Sequence, residues 1–205
     1  SEFDACIMYY LIFGTVFGGL IFVFGLAGNG FTLAIMGRDR KKSSTINALF
    51  MLAIADSLVL IISSYLLPVG VRKYVDGFYS DVNFNHVTFM FVREAARTFN
   101  QVSAFITMIV TFQRYVSICL PTRAKQLCSV RLVNILTTIS YVFSIMFYLP
   151  HFFFYVIKVD ENGRYHAVSR DFVENEAFQI IYSSILFLLV SYIIPIVSLA
   201  FMCIR

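Results

Sequence analysis

Three groups of residues in this sequence carry side chains and spacings that could do chemistry, and all lie in or beside long apolar runs. Asp56 is the single charge between Ser43 and Val71. Counted at roughly 1.5 Å of helical rise per residue, Asn29 lies about 12 Å in from Gly37, Asp56 about 13 Å in from Asn47 and Ser103 about 16 Å in from Arg114. One carboxyl and two neutral oxygens at a common depth could hold a cation or a proton. The same grouping also serves as polar glue between helices, with Asp56 protonated. Arg93, Arg97 and Asn100 are spaced four and three apart and so share one helix face. They could meet acceptor groups on a ligand, or anchor the helix at an interface by pairing with Glu94 and nearby loop acids. Gln113-Arg114-Tyr115 closes an apolar run, where an arginine either snorkels to the interface or engages a partner. The three histidines, His86, His151 and His166, read as solvated or interfacial. With no HExxH, no GxSxG and no paired Cys/His spacing, the sequence is read as not that of an enzyme and as holding no metal.

The elements that position these residues follow from the composition. Of 205 residues 59% are hydrophobic, 17% aromatic and only 14% charged. Soluble domains carry about 25% charge to clothe their surface, so this chain is solvated by lipid. Ala5 to Gly37, Leu132 to Ile157 and Ala177 to Ile204 contain no Asp, Glu, Lys or Arg, and a bilayer crossing needs about 20 such residues. A weaker run lies between Arg97 and Arg114, whose charged heads can reach opposite interfaces. The predicted organisation is a single incomplete transmembrane domain over 1–205, with helices at about 9–37, 45–70, 89–120, 132–157 and 177–204. The fold class is all-α, a polytopic transmembrane helix bundle. Gly25, Gly28 and Gly30 read as small residues that let the first helix approach a neighbour closely.

Orientation follows from the first loop, where Arg38, Arg40, Lys41 and Lys42 favour the cytoplasm and leave the N-terminus outside. Multi-pass insertion in the plasma membrane is the expected location. Acids then gather outside, among them Asp160, Glu161, Asp171, Glu174 and Glu176, and the net charge of +4 is no sign of nucleic-acid binding. An acidic rim would draw a basic peptide, and a solvated charge run would look the same. Phe152, Phe153, Phe154, Tyr155, Phe178, Tyr182 and Phe187 gather near that rim, as a lipid-facing belt or as a seat for aromatic peptide side chains. Cys119, Cys128 and Cys203 fall at the cytoplasmic side, where thiols stay reduced, and Cys6 outside.

Several short motifs recur in one order. Gly28-Asn29, Leu52-Ala53-Ile54-Ala55-Asp56, Arg114-Tyr115 with Pro121 seven residues later, Pro150 and Pro195 resemble the rhodopsin-like G-protein-coupled receptors over nearly the whole chain. The segments Pro121-Thr122-Arg123-Ala124-Lys125-Gln126-Leu127-Cys128 and Tyr148-Leu149-Pro150-His151-Phe152-Phe153 are similar to the invertebrate FMRFamide-type neuropeptide receptors.

That resemblance implies five of the seven helices of a rhodopsin-like receptor. It implies a sodium-like core site at Asn29, Asp56 and Ser103, and G-protein coupling through Arg114, Tyr115, Pro121 and Thr122. A peptide ligand, amidated and basic, would meet Arg93, Arg97, Asn100, Glu174, Tyr182 and Phe187. The partners it implies are that peptide, a heterotrimeric G protein and the lipid bilayer, with no cofactor beyond a sodium ion near Asp56. The chain departs from the family at Gln113 for the acid before the arginine and at Phe89 for a cysteine. No cysteine lies between Lys158 and Glu176, there is no tryptophan (Ser140 and Tyr141 fill that region of helix four), Cys203 replaces a helix-five tyrosine, and Thr122 a common apolar residue. With helices six and seven absent from it, the 205-residue chain is expected to be a fragment that does not signal alone. The alternatives are a non-signalling membrane partner that associates with full-length receptors, or a chemosensory rather than a peptide receptor.

Overall fold

A computed structural model describes residues 8–65, 82–159 and 165–204. Five helices in it are long and apolar enough to cross a membrane: span one Ile12–Gly37, span two Ser44–Ser64, span three Met90–Cys119, span four Val130–Phe153 and span five Glu176–Ile204. They form because uninterrupted apolar side chains leave the backbone no solvent partner but itself, and a helix satisfies it within the segment.

Span two packs between spans one and three, and span three also carries spans four and five. The helix of span three runs over Val82–Cys119, 38 residues or roughly 57 Å, well beyond a hydrocarbon core of about 30 Å. It begins seven residues before the expected start at 89. Of the second expected helix, residues 66–70 lie outside the described residues. The interior is built from small and β-branched side chains: Ala55, Val102 and Ile106 form one buried cluster, and Ala48, Ile109 and Val133 another.

Local signals set the ends. Leu120 leaves helical geometry, and Pro121 opens a short helix, Pro121–Leu127, at a position where its missing N–H is no loss. Ser129 caps span four by accepting from the Leu132 N–H at 3.2 Å. Asn175 caps span five, accepting from Ala177 N at 3.0 Å and Phe178 N at 3.3 Å.

Two expectations need correction. Helix four does not continue to 157: it tightens into a turn at Leu149–Phe153 around Pro150, and an antiparallel hairpin follows, β1 Tyr155–Val159 paired with β2 Tyr165–Ser169. The close-approach reading holds for one of the three glycines. A Cβ on Gly25 would sit 2.8 Å from Leu60 Cδ1, whereas Gly28 and Gly30 have nothing within 4 Å.

Candidate functional site

At the end of the bundle expected to face outward, an open cavity of about 370 Å3 lies among span three, the end of span four, the segment before span five and the start of span five. Its polar centre is Glu94, only 5% exposed. Arg93 Nε donates to Glu94 Oε1 at 3.0 Å, and Arg97 Nη1 to both carboxylate oxygens at 3.2 and 3.3 Å. A buried carboxylate requires such partners. Two guanidiniums against one carboxylate leave a single net positive charge facing the cavity. Arg97 also lies over the Phe187 ring, 5.8 Å from its centroid.

The wall behind this cluster is aromatic. His151 is buried at 8% exposure, so of the two readings, solvated or interfacial, the first does not hold; its ring lies 4.6 Å from Phe154 and 5.2 Å from Tyr182. Tyr182 donates to the Phe147 carbonyl and stands 3.3 Å from His151 Nδ1. Phe154, Phe178 and Tyr182 therefore pack as a cluster and are no simple lipid belt, though Phe153 is exposed. Of the predicted ligand contacts, Arg93, Arg97 and Phe187 line the cavity. Tyr182 stands behind it, while Asn100 and Glu174 are exposed and line no part of it. The sequence reading offered Glu94 as a partner for these arginines, and the structure makes it their hub; that reading missed Gln179, Ser183 and Ser184 as further wall.

Below the cavity a polar tie joins spans three, four and five. In span five, Ile194 N–H bonds the Leu189 carbonyl in a wide, five-residue turn, and Pro195 has no N–H. The Val190 carbonyl is thereby left without a helical donor. Gln101 Nε2, buried, donates to it at 3.2 Å, while Tyr148 Oη bridges Gln101 Oε1 at 3.4 Å and Ser191 Oγ at 2.8 Å. Nothing but its polarity inside an apolar run marked Gln101 beforehand.

Deeper still, Ser103 Oγ donates to Asp56 Oδ1. Asn29 makes no side-chain hydrogen bond among the described residues. At the far end Gln113 is 2% exposed with both amide atoms unpartnered among the described residues; its backbone carbonyl accepts from Ser117 Oγ at 2.8 Å. Arg114, Pro121 and Thr122 are exposed, and Tyr115 packs 6.3 Å from Phe201. The Phe89 side chain and residues 66–81 and 160–164 lie outside the described residues.

Five membrane-crossing helices with a cavity at one end and an exposed arginine at the other define a multi-pass membrane protein. The sequence model of the 7 transmembrane receptor (rhodopsin family) matches residues 28–205, and the chain belongs to that family. It is 27% identical over 191 residues to the FMRFamide receptor of Drosophila melanogaster, covering 88% of this chain and 34% of that protein. It is similar also to two Caenorhabditis elegans proteins: the FMRFamide peptide receptor frpr-18 (24% over 189 residues, 89% of this chain, 43% of that protein) and neuropeptide receptor 15 (29% over 150 residues, 70% and 41%). The chain thus spans 34% to 43% of the length of these curated relatives.

Proposed function

We propose that this chain is the ligand-binding part of a neuropeptide receptor of the plasma membrane, with its N-terminus outside, and that the outer cavity receives the end of an amidated peptide. The observation that carries this is the Arg93–Glu94–Arg97 cluster, set in an aromatic wall of a chain similar to two FMRFamide receptors. A terminal carboxamide offers one acceptor and two donors. Its oxygen suits the guanidiniums, and its NH2 suits the Glu94 carboxylate. A free carboxylate would satisfy the arginines but set charge against charge at Glu94. The ligand's aromatic side chains find partners in Phe154, Tyr155 and Phe187.

Ligand binding would act by favouring one arrangement of the helices. The Gln101–Val190 tie is the first contact below the cavity that such a shift can move, because it spans three helices and holds span five where that helix is least regular. Arg114, Tyr115, Pro121 and Thr122 offer an exposed surface for a G protein at the other end. In the core, Asp56 and Ser103 supply hard oxygen donors suited to a sodium ion, with Asn29 as the third donor this reading needs. The 205-residue chain alone would not activate a G protein.

The test is competition binding on cells carrying a full-length receptor that contains this chain, using FMRFamide and its free-acid counterpart. Preference for the amide that is lost in Arg97→Ala supports the reading. Equal binding of both forms, or an Arg97→Ala variant that binds as the parent does, refutes it.

A further inference from the structure

The outer cavity has a smaller neighbour. A cavity of about 20 Å3, room for a single water, lies between the start of span three, the turn that ends span four and strand β1. Its far wall is apolar, formed by Met90, Phe91, Phe152 and Ile157, with Phe91 and Phe152 stacked 6.3 Å apart. Its near wall is Arg93, Glu94, His151 and Tyr155, and the same residues line the outer cavity. One layer of side chains therefore divides the two spaces.

Most of that layer is held in place. Arg93 and Glu94 are bonded to one another, and His151 Nδ1 stands 3.3 Å from the Tyr182 hydroxyl, its ring packed on Tyr148, Phe154 and Tyr182. Tyr155 is different: among the described residues its half-buried side chain has neither a hydrogen-bond partner nor a ring contact. Its backbone is fixed nonetheless. Phe154 before it is buried against His151 and Phe178, the Arg170 N–H donates to the Phe154 carbonyl at 3.0 Å, and Tyr155 pairs with Ser169 across the hairpin. A side chain on a fixed backbone, with no bond to break, moves between staggered rotamers at little cost. When Tyr155 turns aside, the two spaces become one.

The occupant is selected by what stands beside the opening. The Arg93–Glu94 pair that would hold a terminal carboxamide belongs to the dividing wall, so the side chain nearest the opening is that of the amidated residue itself. The far wall offers it only apolar and aromatic surface, where a charged or amide side chain would give up water without gaining a partner. We propose that Tyr155 is a hinged wall that selects the last residue of the ligand, turning aside to admit an aromatic side chain among Met90, Phe91, Phe152 and Ile157. This rests on the amide reading of the outer cavity and adds to it the type of residue that carries the amide.

The experiment uses a full-length receptor that contains this chain and compares FMRFamide with amidated analogues whose last residue is alanine or 2-naphthylalanine. Tyr155→Ala removes the wall and should raise the affinity of the naphthyl peptide relative to FMRFamide about tenfold, the gain from burying more apolar ring. Tyr155→Phe keeps the ring and loses only an unpaired hydroxyl, so it should rank the peptides as the parent does. Ile157→Trp fills the side cavity and should bring FMRFamide to within about twofold of the alanine peptide, whose own affinity stays unchanged. A ranking that neither Tyr155→Ala nor Ile157→Trp moves, in a receptor that still prefers amide to free acid, overturns this proposal alone. Equal binding of amide and free acid by the parent strikes the amide reading instead. Thiol labelling tests the wall without any ligand: an impermeant methanethiosulfonate should modify the thiol introduced by Met90→Cys several-fold faster when Tyr155→Ala accompanies it. Equal rates, read by mass spectrometry at that position, overturn the hinged wall.

Discussion

Glu94→Gln keeps the size of the side chain and removes one charge from the centre of the outer cavity. In the parent, Glu94 is 7% exposed at its side chain while Arg93 and Arg97 are 38% and 43% exposed. A unit charge some 4 Å from a ligand's terminus is worth about 1–4 kcal/mol at effective dielectrics between those of water and a protein surface. The exposure of both arginines puts the effect at the lower end, about 1–2 kcal/mol, or roughly a 5- to 30-fold change in affinity. The sign differs between ligands. An amidated peptide meets a neutral amide oxygen in place of a charged acceptor for its NH2 and binds more weakly, whereas the free-acid peptide meets two guanidiniums without an opposing carboxylate and binds more tightly. Competition binding of the two forms to the Glu94→Gln receptor, with surface expression measured in parallel, therefore reads a change in their ratio. A fold defect lowers both affinities together. If the ratio stays within about twofold of the parent's, the charge reasoning is wrong.

Gln101→Leu leaves the Val190 carbonyl and the Tyr148 hydroxyl short of a partner, at a cost of about 1–2 kcal/mol, and should lower the unfolding temperature of the detergent-solubilised chain by roughly 2–8 °C; an unchanged midpoint would show that the tie contributes nothing. Gly25→Ile drives a branched side chain into Leu60 and should destabilise by about 1–3 kcal/mol, while Gly28→Ile should leave the same melt unmoved. In the full-length receptor, Gln113→Glu should lower basal second-messenger output, because it restores a carboxylate beside Arg114 at a site where the present amide has no partner; equal output in both refutes this. The 205-residue chain expressed alone should give no ligand-dependent output, and a response above that of untransfected cells would disprove it.

The number of membrane spans was readable from the sequence because charge is excluded from hydrocarbon by several kcal/mol per residue, a force that acts on composition alone. The juxtaposition of Asp56 and Ser103 was readable for a related reason: a helix converts residue count into depth. The hairpin was a legible signal left unread, since Val156, Ile157 and Val159 favour a strand and Asn162-Gly163, a turn-favouring pair, follows them. Depth, however, says nothing about azimuth between helices. Asn100 shares a face with Arg93 and Arg97, yet it stands exposed outside the cavity. Glu174, placed by the sequence among ligand contacts, is exposed and lines no part of the cavity. Only tertiary packing buried Glu94 and His151 and gave the orphaned Val190 carbonyl to Gln101 on another helix. Those outcomes depend on which faces of neighbouring helices meet, and that is settled by side-chain volumes across three helices at once, which no single segment encodes.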